Sequence, residues 1–260
     1  MNLILVHGFL GNSLNWAPIL QRLRGLQKTG ALMHWNFISV DLLGHGRKAN
    51  LSAYASLTLD DVALDLAKEI PTGDWVGLGH SFGIRPILRL LTLKSALNAP
   101  KALIVEDSSP TISDHGYDDL RKIFAEVPRH FDSRQKAKEG LEAAFGGDSK
   151  MARFLMTNIA ENKAGEYGWR FDPDKLRNLL EDARQNPLWN EWETFEGPIS
   201  MILGSGAASF VSDERVKECE LKRLGKPLTV SRIDGAGHWV HAEQAEQFTA
   251  ELVKVLNQIN

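Results

Sequence analysis

The sequence predicts an α/β fold: a mostly parallel sheet of about six strands, flanked by helices and carrying an inserted helical cap. Three observations lead there. Short aliphatic runs without polar alternation recur along the chain, as strands buried on both faces require. Stretches of helical spacing separate them, which is the pattern of right-handed crossovers. The alternation also stops after Pro110 and resumes near Gly197, so one segment is set into a core that continues on its far side.

In order, the first strands are expected at Leu3 to Val6, Phe37 to Val40, Trp75 to Leu78 and Ala102 to Val105. Helices are expected between them, at Leu14 to Leu26, Leu57 to Ile70 and Phe82 to Leu97. Thr58 stands where it can cap the second helix, and Asp60 and Asp61 occupy the first turn that the helix dipole favours for negative charge. From 111 to 197 the pattern is helical with no convincing strand: Tyr117 to Glu126, Ser133 to Phe145, Lys150 to Ala160 and Asp174 to Gln185. Glycines and prolines at Gly146, Gly147, Gly165, Pro173 and Pro187 punctuate it. A strand at Ile199 to Leu203, a helix at Asp213 to Leu224, a strand at Leu228 to Ile233 and a closing helix at Ala242 to Leu256 complete the core. The expected division is therefore a core of residues 1–110 and 198–260 with a cap of residues 111–197.

Composition narrows the function classes. The chain has 260 residues, 43% hydrophobic and 24% charged, with a net charge of −3, which excludes an intrinsically disordered protein. A lone Cys219 cannot make an internal disulfide. Residues Met1 to Gly11 lack both a basic start and a long apolar stretch, so neither a signal peptide nor a membrane span is expected, and the expected setting is the cytoplasm. No long run of Lys or Arg suggests nucleic acid as a partner. The oligomeric state is left open.

The chemistry concentrates in a few loops. Gly79-His80-Ser81-Phe82-Gly83 fits G-x-S-x-G and lies between a strand and a helix, a tight turn that lifts the Ser81 hydroxyl at the sheet edge as a candidate nucleophile. A hydroxyl needs a base. His238, in Asp234-Gly235-Ala236-Gly237-His238-Trp239 after the last strand, is the candidate. His241 and His80 read as structural, and His34, His115 and His130 have no supporting context. Two backbone N–H groups would receive an oxyanion, those of Phe82 and of Phe9 in His7-Gly8-Phe9-Leu10-Gly11. Asp41-Leu42-Leu43-Gly44-His45-Gly46 reads as a shaped turn. The His and Cys spacings match no zinc site, so neither metal nor other cofactor is expected.

Taken together, His7-Gly8, Asp41-x-x-Gly44-His45-Gly46, Gly79-His80-Ser81-Phe82-Gly83 and Gly237-His238 resemble the α/β-hydrolase superfamily of serine hydrolases. The likeness spans nearly the whole chain apart from the cap. It implies a lid inserted after the sixth strand of the standard core, with this chain starting at that core's third strand. It also implies a third catalytic residue, an acid, usually placed in the loop after the penultimate strand. Here that loop is Gly204-Ser205-Gly206-Ala207-Ala208-Ser209-Phe210, with Ala207 at the expected position. Asp107 in Glu106-Asp107-Ser108-Ser109-Pro110 is the leading alternative, and Asp213 and Glu106 are others. That arrangement resembles the YbfF-like bacterial esterases and their mitochondrial acyl-hydrolase relatives, which have an Asp-x-x-Pro here. Arg85 and Trp169-Arg170 also resemble that group.

The resemblance implies hydrolysis of short- to medium-chain acyl esters through an acyl-enzyme, with a small-molecule ester as partner and no membrane or nucleic acid. Thioesters come second. Carbon–carbon bond hydrolysis or peroxide-dependent oxidation would use the same residues, and a non-catalytic small-molecule-binding protein is the rival class. Phe9, Phe82, Arg85, Trp169 and Trp239 are the expected substrate contacts. Phe154, Leu155, Met156, Trp189 and Trp192 could line an acyl pocket or simply pack the cap. The segment from Thr111 to Gly197 carries 13 basic and 17 acidic residues, so only a local cluster such as Arg85 with Arg153 or Arg170 could attract a polyanionic ester.

Overall fold

A computed structural model describes residues 1–93, 98–112, 114–147, 149–162 and 165–259, apart from the side chain of His115. The chain opens with β1 (Asn2–Val6), a 3-10 turn at Ser13–Trp16, α1 (Ala17–Lys28) and β2 (Asn36–Val40). Then come α2 (Leu59–Ala67), β3 (Trp75–His80), a 3-10 turn at Ser81–Gly83, α3 (Ile84–Leu90) and β4 (Ala102–Glu106). The inserted segment holds α4 (Asp114–Glu126), β5 (His130–Phe131), α5 (Arg134–Ala144), α6 (Lys150–Met156), β6 (Ile159–Glu161), β7 (Tyr167–Trp169), α7 (Pro173–Gln185) and α8 (Trp189–Thr194). The core resumes with β8 (Ile199–Gly204), α9 (Asp213–Leu221), β9 (Leu228–Ile233), α10 (Val240–Glu243) and α11 (Ala245–Gln258).

Six strands form one sheet in the order β2-β1-β3-β4-β8-β9, and all neighbours run parallel. Alternate residues of each strand face opposite layers. Leu3, Leu5, Val76, Leu78 and Ile104 meet Trp16, Ile19 and Leu23 before and within α1 and Phe248, Leu252 and Leu256 of α11. Ile4, Val6, Leu103, Val105 and Met201 meet the other layer, from α2 and α3, and that cluster runs on into the inserted segment through Leu155, Leu176, Leu179 and Trp192. The Thr58 cap forms as expected. Its side chain accepts from the Asp61 N–H, while the Asp61 carboxylate accepts from the Thr58 N–H.

The inserted segment departs from the purely helical expectation. β5, β7 and β6 make a three-stranded antiparallel sheet. Strands of two or three residues are too short to show alternation, and β6 falls where helical spacing was read through to Ala160. That helix ends at Met156 instead. The helix expected from Leu14 begins as a 3-10 turn, and α1 takes over with Pro18 in its first turn, where no N–H is needed. The closing helix is split into α10 and α11 at Gln244. Residues 94–97, the last turn expected of the helix after Ser81, lie outside the described residues. Among the described residues, no helix is long and apolar enough to cross a membrane.

The sheet order itself places a crevice. The chain builds outward from β1 to β2, then returns to the other side of β1 as β3. Loops leaving the C-terminal ends of β1 and β3 therefore diverge to opposite layers, and ligands of open α/β sheets bind at such a switch point.

Candidate active site

β3 ends at His80 and the chain turns at once into the Ser81–Gly83 turn and α3. Space for the turn depends on its glycines. A Cβ on Gly79 would lie 2.3 Å from the Ile84 nitrogen, and one on Gly83 would lie 2.5 Å from the Val6 carbonyl oxygen. Ser81 takes a left-handed φ of 51°, and Asp107, just past β4, takes 40°. Non-glycine residues seldom hold this conformation, and they hold it chiefly where surrounding structure aims a functional side chain.

These two side chains meet one imidazole. The Ser81 hydroxyl donates to His238 Nε2 at 3.0 Å, and His238 Nδ1–H donates to the Asp107 carboxylate at 2.8 Å. Asp107 is fully buried, and its carboxylate also accepts from Gly204 N–H (3.2 Å), the Ser209 hydroxyl (2.6 Å) and Phe210 N–H (3.0 Å). Donation of the Nδ1 proton to Asp107 leaves Nε2 as the lone-pair side that faces the serine. The Phe210 ring stacks on the imidazole, with centroids 3.9 Å apart and planes 22° apart. Asp213 sits elsewhere, exposed at the start of α9 and paired with Arg232 at 2.6 Å. Glu106 is buried against His241 instead, at 2.8 Å.

The loop after β1 passes beside the serine. A Cβ on Gly8 would stand 3.3 Å from the Ser81 Cβ, and the Phe9 ring packs against Phe82 at 5.1 Å. His7 shapes this loop as a neutral ring: Nδ1–H donates to the Gly8 carbonyl at 2.8 Å and Nε2 accepts from Leu42 N–H at 3.0 Å. Asp41 ties the neighbouring turn by accepting from Ser13 N–H at 2.6 Å and from Arg47 Nε at 2.8 Å. Burial alone would raise its carboxyl, but the Arg47 and Ser13 hydrogen bonds outweigh it and hold Asp41 down at about 2. The Asp41 turn thus has the shape expected of it.

Acid sensitivity follows from this packing. Burial pulls His7 down from the ordinary 6.5 to about 4, and burial with the neighbouring His7 ring pulls His45 to about 3. The folded chain keeps both neutral, while the unfolded chain protonates them below about pH 6.5. Stability is therefore complete above that value and falls as pH drops toward 4, by about 2 kcal/mol at pH 5 for His7 alone. Asp41 adds its own loss only lower, between about pH 4 and 2. Urea unfolding at pH 7 and pH 5 checks this, and equal midpoints would contradict it.

A model of the alpha/beta hydrolase family matches residues 3–252. The chain belongs to that family. Among curated relatives of this alpha/beta hydrolase is the sn-1-specific diacylglycerol lipase ABHD11 of Danio rerio, 28% identical over 98% of this chain and 78% of the relative. Another is esterase YbfF of Escherichia coli strain K12, 24% identical over 98% of this chain and 92% of the relative. A solved marine microorganism esterase superposes with a TM-score of 0.75 at 20% identity, over 97% of this chain and 94% of its own, which shows the shared fold.

Two clefts of this alpha/beta hydrolase converge on Ser81. One runs past Phe82, Ser109, Thr111, Ile112 and Val211. The other runs past Phe9, Leu10, His80, Met151, Phe154 and Trp239. Ser81, Gly116, Leu120 and Phe210 line both. Of the expected substrate contacts, Phe82 lines the first cleft and Phe9 and Trp239 the second. Arg85 borders the first cleft, but its guanidinium is buried and donates to the carbonyls of Pro110 (3.0 Å), Ala183 (2.6 Å) and Asn186 (3.2 Å). It clasps the inserted segment to α3, and burial lowers it to about 10. Trp169 is a correction: it lines neither cleft and stacks on Phe171 at 4.9 Å.

Phe154 lines the second cleft, whereas Leu155 and Trp192 are fully buried packing. Met156 lines a separate groove with Arg153, and Trp189 lies beside Arg215. Arg85 and Arg153 do not share a cleft, so the anion cluster suggested for them does not form. The Cys219 thiol is buried, and burial pushes it up to about 12. Sequence reasoning missed Ser209, Phe210 and Met151. For Ser209 a signal existed, since an acid-free loop beside Asp107 must still satisfy the lone pairs of a buried carboxylate.

Proposed function

We propose that this alpha/beta hydrolase is a serine carboxylesterase acting on short- to medium-chain acyl esters, with residues 111–197 as its cap. The observation that carries the reading is the continuous hydrogen-bond relay from Ser81 through His238 to Asp107, at 3.0 and 2.8 Å, where two clefts meet. As the ester carbonyl enters, Ser81 Oγ attacks its carbon and the hydroxyl proton passes to His238 Nε2. Asp107 holds Nδ1–H and stabilises the imidazolium. The oxyanion is received by the N–H groups of Phe9 and Phe82, on the two loops that flank Ser81. Collapse expels the alcohol, which takes the proton back from His238, and leaves Ser81 acylated. Water activated by the same imidazole then releases the acid.

Support for an acyl ester comes from the apolar lining of the second cleft and from the names of the diacylglycerol lipase and esterase relatives. A p-nitrophenyl ester series from acetate to decanoate, run beside the matching acyl thioesters, tests the reading. The expected result is an optimum between butyrate and octanoate, with esters turned over faster than thioesters. Turnover confined to thioesters, or none on any acyl substrate, would replace it.

A further inference from the structure

The residues immediately before Ser81 and Asp107 form a second layer beneath them. His80 ends β3 and Glu106 ends β4, and they are register partners in the sheet. Both are buried, and His80 borders the second cleft beneath Gly8 while Glu106 is fully enclosed. There they meet the segment that carries His238. His80 Nε2–H donates to the His238 carbonyl at 3.0 Å. Glu106 accepts from the His241 N–H at 2.7 Å and from His241 Nδ1–H at 2.8 Å. The His241 ring is in turn pressed on Trp16, centroids 4.5 Å apart.

That segment needs an anchor. It leaves β9 through Gly235, Ala236 and Gly237, with a positive φ of 71° at Gly235. Two glycines in three residues give the backbone little conformational preference of its own. Yet the His238 ring must stand within hydrogen-bond reach of Ser81 and Asp107 at once. Contacts that grip the backbone of residues 238 and 241 restrict the ring's placement without occupying either ring nitrogen of His238.

We propose that His80 and Glu106 are positioning residues, a clamp that holds the His238–His241 segment so that the imidazole is aligned before substrate arrives. The proposal rests on the esterase reading of Ser81, His238 and Asp107. Burial first, then the nearby His238 and His241 rings, push His80 well below the ordinary histidine range, which keeps it a neutral single donor. The nearest ligand atoms of His80, Glu106 and His241 also lie within 4.8 Å of one another, close enough to suggest a metal ion. His80 Nε2, His241 Nδ1 and both Glu106 oxygens are engaged in hydrogen bonds, so the cluster is read as a clamp.

The experiment compares His80→Met, which removes the donor, with His80→Gln, whose amide N–H can reach the same carbonyl. His80→Met is expected to lower kcat by about 100-fold with KM near wild type, as misplacement of a catalytic group by about 1 Å does. His80→Gln is expected to recover most of that loss at an equal Tm. Wild-type kcat in His80→Met, or equal loss in both variants, would overturn the clamp. If the wild type turns over no ester, the esterase reading fails by itself, and the proton shared by His238 Nδ1 and Asp107 still reads the clamp by NMR. That resonance should be sharp in the wild type and in His80→Gln and broadened in His80→Met; equal sharpness in all three would overturn the proposal. Should His80→Met not fold, hydrogen exchange of the wild-type His241 amide decides. Protection comparable to β3 is expected, and exchange at the rate of an open loop would overturn it.

Discussion

Ser81→Ala is expected to lower kcat on p-nitrophenyl butyrate by about 10⁶-fold, the scale of loss when the nucleophile of a Ser-His-Asp relay is removed. The substitution deletes one oxygen and leaves the left-handed turn, its glycines and the loop beside it in place. His238 would keep its Asp107 bond, so the measured loss isolates the nucleophile from the rest of the site. The other reactive side chain to consider is Cys219, but its buried thiol, pushed up to about 12, yields almost no thiolate near neutral pH. A serine-directed phosphonate should accordingly label one peptide, the one containing Ser81. More than one hundredth of wild-type activity in Ser81→Ala, or labelling of another serine, would contradict the assignment.

Asp107→Asn is expected to lower kcat by about 10⁴-fold, while Asp213→Asn changes it less than twofold. The asymmetry follows from hydrogen-bond accounting. All three neighbours of Asp107 other than His238 are donors: Gly204 N–H, Ser209 Oγ–H and Phe210 N–H. An amide must turn its NH2 toward one of the two oxygen positions, where it faces a donor. Facing His238, it would favour the tautomer with the proton on Nε2, which cannot accept from Ser81. Facing Gly204 and Ser209, it would leave buried donors unpaired at a cost of about 1–3 kcal/mol. Asp213, exposed and paired with Arg232, offers no such coupling. Comparable loss in both variants, or none in Asp107→Asn, would remove Asp107 from the mechanism.

Chain order carried much of this fold. Buried parallel strands lack alternation, and Leu3 to Val6 and Ala102 to Val105 were readable because both of their faces are covered. The inserted segment was readable where helices exceed two turns, as in α7. It was unreadable where pairing alone makes a strand of two or three residues, as at His130 and Phe131. Trp169 illustrates a limit of another kind. Its residue type suited a pocket wall, but whether an aromatic ring faces a cleft or another ring depends on its neighbours in space, and Phe171 took it.

What the sequence by itself determined was local chemistry: the glycine-flanked serine turn, the loop histidine after the last strand and the alternation that builds the sheet. These depend on residues within a few positions of one another, where backbone sterics and side-chain period act directly. Only the tertiary structure decided which carboxylate His238 meets. Asp107 is 131 positions from it, and Glu106, one residue earlier, is turned by strand alternation to His241 instead. Hydrogen bonds reach about 3 Å, so partners so distant along the chain are chosen by sheet order and register, which short-range sequence pattern does not encode.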